Sequence, residues 1–144
     1  LHRLARWHTF CGRQIMTVLD ALAILEAATL ESEKRDINTP EVREALDFLE
    51  SRIRPEWLIP QFRYHAGLNV KDQVDVDLVK KAQQQALLAI FPVIHESVKD
   101  LLGKQIDALE REFAATHDMK VKNEIERLVK EYDRLKEPWV FVSR

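Results

Sequence analysis

The sequence predicts an all-α protein, on three observations: apolar residues recur at helical three-and-four spacing, strand-type alternation is absent, and glycine is scarce. Only 3 glycines and 5 prolines stand against 46% hydrophobic and 32% charged residues, the balance of a helical globular chain and not of a disordered or fibrous one. With 144 residues the chain fits one domain, residues 1–144, able to bury roughly 68–70% of its unfolded surface without disulfides. The expected architecture is an elongated antiparallel bundle of five or six helices with a proline kink near Pro92. A chain that begins without methionine also fits a piece of a longer protein.

The first helix is expected over about residues 2–31, with Leu4, Trp7, Cys11, Ile15, Leu19, Leu22, Leu25 and Leu30 near one face and a bend at Gly12. The polar stretch LESEKRDIN has no apolar period and reads as a connection. Thr39-Pro40-Glu41 then supplies an N-cap, a proline at the first helical position and an acid near the positive helix end. The helix that follows buries Val42, Leu46, Leu49 and Ile53, shows Glu44, Asp47 and Glu50 to water, and stops before Pro55.

A short helix is expected from Pro55 to Gly67, with Trp57, Leu58, Phe62 and Ala66 mostly on one side and Pro60 as a disruptive sixth residue. From about Asp75 the helical pattern returns. The run ALLAIFPVI, apolar on every side, marks an enclosed segment, and Pro92 in its middle frees the carbonyl of Leu88 and should kink or divide the rod. Beyond it Val98, Leu102, Ile106, Leu109 and Phe113 stay in phase across Gly103, so either a turn at Gly103 or a helix to about Ala115 fits. The last helix carries Val121, Ile125, Leu128, Tyr132 and Leu135 in bundle rhythm, with Glu126 and Lys130 as an ordered pair on its wet face. The tail PWVFVSR leaves it at Pro138 and is expected to be extended.

A single cysteine, Cys11, allows no internal disulfide; it suits a small buried side chain in a reducing compartment, and the expected location is cytoplasmic. No window reaches the roughly 18 uninterrupted apolar residues of a membrane span, because IMTVLDALAILEAATL is cut by Asp20 and Glu26. The net charge of −2 excludes a polybasic binder. Charge is nonetheless segregated: residues 31–51 carry 7 acids, whereas residues 52–71 carry Arg52, Arg54, Arg63 and Lys71 against Glu56.

No metal or cofactor is expected. No histidine has a glutamate three residues before it, as a di-iron bundle needs, and a lone cysteine gives no zinc pair. Three glycines furnish neither a phosphate loop nor a nucleophile elbow. His95 reads as a residue bonded near the proline, and His117 as a partly buried junction residue between Phe113 and Val121.

RIRPEWLIPQFRYHAG, residues 52–67, is the candidate partner-binding corner. Arg52, Arg54, Trp57, Arg63 and Tyr64 are residue types that anchor interfaces; the competing structural reading has Trp57 and Phe62 anchoring the helix while the arginines reach the acidic 31–51 segment. The leading function is thus a non-enzymatic interaction or assembly module for a protein partner or a second copy of itself, through this corner and the charged 104–137 segment. Nucleic acid is a less favoured partner. The N-terminal LHRLARWHTFCGR, arginines beside Trp7 and Phe10 with no acid, offers another reading: a membrane-proximal domain touching a membrane surface through residues 1–14.

The runner-up to the interaction module, ahead of the membrane-proximal reading, rests on two short motifs, RLARWH with Arg3 and His8, and REFAATH with Arg111 and His117. In these the chain resembles the HEPN family, small all-helical domains that often dimerise and cut RNA with an arginine and a histidine at this separation. The resemblance implies a histidine that moves a proton and an arginine that steadies the phosphate. The residue directly after the arginine, polar in the family's fuller form, is Leu4 in one motif and Glu112 in the other.

Overall fold

The computed structural model describes residues 16–67 and 76–141. Among these the chain is all-helical, with five helices: α1 (Val18–Glu31), α2 (Pro40–Glu50), α3 (Leu58–Ala66), α4 (Val76–Thr116) and α5 (Met119–Arg134). Two compact units divide it, Leu1–Ile94 and His95–Arg144, with the boundary inside α4.

In the N-terminal unit, α1 starts at Val18 and does not run on from residue 2, because Thr17 is extended (φ −98°, ψ 167°) and closes a capping box. Its hydroxyl accepts from the Asp20 N–H, and the Asp20 carboxylate accepts from the Thr17 N–H, each at 3.1 Å. Two orphan donors are thereby satisfied. The expected bend at Gly12 and the apolar residues up to Ile15 lie outside the described residues. Ala21, Ala28 and Ala45, all fully buried, leave room for α1 and α2 to pack closely. Leu30, expected inside, is 41% exposed.

The connection between α1 and α2 is polar except at one point. Ile37 is 0% exposed and pins the loop to the core. Pro40 opens α2 behind Thr39, whose hydroxyl accepts from the Val42 N–H at 3.3 Å, as the sequence indicates. Helix α3 begins three residues later than expected. Pro60 is therefore its third residue and not its sixth, where the missing N–H would have had no intrahelical partner in any case. Gly67 ends α3 with an ordinary backbone (φ −88°), donating to the Arg63 carbonyl at 2.9 Å.

Two glutamines of α4 tie this unit together. Gln83 donates to the His65 carbonyl at 2.7 Å and Gln84 to the Leu30 carbonyl at 3.2 Å. Both are buried, and both amides use that burial to satisfy backbone acceptors near the ends of α3 and α1.

Helix α4 continues without interruption through Pro92 and Gly103 to Thr116, which decides between the two readings at Gly103. A Cβ at Gly103 would meet the Tyr132 ring at 3.5 Å, ordinary contact. The turn lies at residues 116–118. His117, and not a glycine, takes the left-handed conformation there (φ 56°) and donates its N–H to the Phe113 carbonyl at 2.7 Å. Asp118 then caps α5, accepting from the Lys120 N–H at 2.9 Å.

In the C-terminal unit Val98 and Leu102 of α4, Val121 and Leu128 of α5, and Leu135 just beyond are buried. Ile106, Leu109, Phe113 and Ile125 are only half-buried. The expected Glu126–Lys130 pair does not form; both are exposed, and the ion pairs of α5 run from Arg127 to Glu124 and Glu131. After Leu135 the described chain is without helix or strand.

Candidate interaction site

Helix α3 has two faces with opposite fates. Leu58, Ile59, Phe62 and Ala66 are buried, three of them at 1% exposure or less. Trp57, Pro60, Gln61 and Tyr64 are exposed, and their i, i+3, i+4, i+7 spacing puts them in one stripe along the helix. Trp57 is 55% and Tyr64 66% exposed. The structure therefore separates two ring residues that the sequence groups as anchors: Phe62 holds the helix to the core, and Trp57 faces water.

The three arginines of the corner engage their own chain. Arg63 donates to Glu50 at 2.6 Å and Asp47 at 2.8 Å, tying α3 to α2. Burial acts to lower its pKa, but the hydrogen bonds and charges of Glu50 and Asp47 together raise it above the usual arginine value. Arg52 donates to the Phe48 carbonyl at 2.5 Å and lies 4.0 Å above the centre of the Phe48 ring. Arg54 pairs with Glu56, next to the cis Arg54–Pro55 peptide. Arg63 thus reaches the acidic segment, as the competing reading expects, while Arg52 folds back on α2 through a carbonyl and a ring.

Of the five predicted residues, Trp57 and Tyr64 share the exposed stripe. The arginines border it as internal fasteners. Pro60 and Gln61 are stripe members that residue-type reasoning passed over, although the seven-residue interval from Trp57 to Tyr64 contained the signal. Tyr64 also meets the His65 ring edge-on, with centroids 5.1 Å apart.

The second RNA-cleaving motif falls on the end of α4 and the turn after it. Arg111 and His117 are both exposed, which corrects the half-buried reading of His117; its ring lies beside that of Phe113, at 5.7 Å between centroids. The first motif, Arg3 with His8, and the arginine-rich residues 1–14 lie outside the described residues, as does Cys11. His95 is buried at 5% exposure.

A recess of about 350 Å³ between α1 and α2 has Ile24 and Val42 in its lining and the Arg35–Glu31 ion pair, 2.6 Å, at its edge. Among the described residues no three His, Cys, Asp or Glu side chains gather into a metal-holding group. Among them also, no helix is long and apolar enough to cross a membrane. No protein-family model, curated protein or solved structure matches the chain.

Proposed function

We propose that this chain is a non-enzymatic helical module that docks a protein partner through the 52–67 corner and assembles through the charged hairpin of residues 104–137. The observation that carries the reading is the exposed stripe Trp57–Pro60–Gln61–Tyr64. Large rings left in water lose the benefit of burial, and tryptophan and tyrosine are the types that anchor interfaces when a partner covers them. The scaffold beneath favours the same role: Phe62 and the Arg63 bridge fix α3 on α2, so the stripe is offered on a rigid support at little ordering cost. A bend of α4 at Pro92 belongs to the same proposal, as a way to set the direction of the helix beyond it.

The test substitutes Trp57→Ala and Tyr64→Ala and compares partner capture and self-association with the unsubstituted chain. Both residues are exposed, so helicity should stay intact while binding falls by roughly 2 kcal/mol at an anchor position, about thirtyfold. Unaltered binding by the doubly substituted chain would refute the corner. Arg63→Ala is a poorer probe, because it also releases α3 from Asp47 and Glu50.

A further inference from the structure

The two flanks of the C-terminal hairpin use their charges differently. A helix advances about 100° per residue, so residues on either side of the buried line through Leu102 and Leu128 fall on distinguishable flanks. On one flank Arg127 is committed within α5. It donates to Glu124 at 2.6 and 2.8 Å and to Glu131 at 2.5 Å, beside an open groove of about 530 Å³ whose lining includes Leu109 and Val121. The arginine of that wall is already paired within α5.

The other flank is apolar and less complete. Ile106 and Phe113 of α4 and Ile125 and Val129 of α5 fall there by their spacing, the first three half-buried and Val129 37% exposed. Glu110 borders this seam on α4 and Lys122 borders it on α5. Both are exposed, and neither makes an ion pair among the described residues. Glu126 and Asp133 lie further round α5, toward solvent.

We propose that this flank seats a second copy of the chain, giving a two-fold four-helix bundle in which each α4 lies antiparallel to the partner's α5. The inference rests on the assembly part of the proposed function and names its partner. Self-complementarity is the reason for choosing a second copy: every chain carries an acid on one wall of the seam and a base on the other, so a two-fold axis along the hairpin sets Glu110 beside the partner's Lys122 twice over. The heights agree. Glu110 lies six residues before the end of α4 and Lys122 three after the start of α5, which at 1.5 Å per residue places them about 9 Å and 4.5 Å from the turn, within one helical pitch. Four helices also give each rod two antiparallel neighbours, whereas a hairpin alone gives it one.

The experiment is sedimentation of the full chain through the micromolar range, alone and with charge reversals. The unsubstituted chain should form a dimer. Glu110→Lys and Lys122→Glu should each weaken it by about tenfold or more, since two attractive contacts become repulsive, with helicity unchanged. An equimolar mixture of the two variants should regain the dimer, because each seam then pairs lysine with glutamate again. A monomeric unsubstituted chain, reversals without effect, or a mixture that fails to recover would each overturn the proposal. A dimer indifferent to these reversals but lost on Trp57→Ala would overturn the hairpin seam and leave the docking corner standing.

Discussion

Leu49 in the N-terminal unit is 0% exposed and Leu128 in the hairpin 5%, and their surroundings differ in the same direction. In the same unit the helices α1, α2 and α3 contribute Leu25, Ala45 and Leu58, each also at 0%. On α5 and just beyond it the best-covered residues are Leu128, Leu135 and Val121, at 5, 7 and 8%. Covering an apolar stripe completely takes neighbours on both sides of it. The N-terminal helices have them, and the hairpin beyond Leu102 retains half-buried residues at 106, 109, 113 and 125.

The same chemical deletion should therefore have different effects in the two places. Leu49→Ala should destabilise by about 4 kcal/mol, because a rigid and fully enclosed site cannot collapse onto the missing atoms. Leu128→Ala should lie near the low end of such changes, about 2 kcal/mol, because the cavity opens toward water and α5 can shift. Urea unfolding of the two variants provides the measurement, and equal losses would break the comparison. A second copy on the hairpin sharpens it further: raising the protein concentration should then increase the effect of Leu128→Ala and leave that of Leu49→Ala unchanged.

Much of the helical pattern was legible in the sequence, and the misses have physical causes. Thr39-Pro40-Glu41 marked its boundary to the residue, because cap, proline and acid all act locally. Thr17-Val18-Leu19-Asp20 carried an equally local signal, which the long apolar period from Leu4 to Leu30 masked. Ile37 is one apolar residue in a polar loop, and periodicity has nothing to register there. Gln83 and Gln84 are buried for their bonds to carbonyls about 18 and 54 residues distant, a tertiary fact that no window contains. For the candidate site, composition located the corner. Deciding that Phe62 faces in and Trp57 out required the start of α3, which the sequence placed three residues early.

Gly103 separates local preference from packing in the hairpin. A glycine inside α4 costs backbone entropy, and the Cβ of an alanine would rest 3.5 Å from the Tyr132 ring, a contact that needs no rearrangement. Gly103→Ala should therefore stabilise the chain by about 0.5–1 kcal/mol, visible as a higher urea midpoint. Gly67→Ala tests the opposite circumstance in the N-terminal unit. Its Cβ would approach the Arg63 carbonyl to 3.2 Å, so the same substitution there should gain less. A larger gain at 67 than at 103 would reverse the assignment of which glycine is spare.

The smallest expected effect distinguishes the ion pairs of the two regions. In the N-terminal unit Arg63 joins different helices, whereas in the hairpin Arg127 joins residues of one helix. The hydrogen bond from Arg127, with its charge, holds the Glu124 carboxyl below the usual glutamate value in spite of some desolvation. A depressed folded-state pKa means that the stabilisation is present above the unfolded value of about 4.3 and is lost as pH falls through the folded one. Glu124→Gln should accordingly reduce stability near neutral pH by only a few tenths of a kcal/mol, since the pair is solvent-screened. That deficit should vanish once pH has fallen through the depressed folded value, where the unsubstituted carboxylate is protonated too. It should also shrink in high salt. Urea midpoints of both proteins at neutral and acidic pH measure the difference; a deficit that persisted unchanged in acid would show that the Glu124→Gln substitution disturbs α5 by something other than charge.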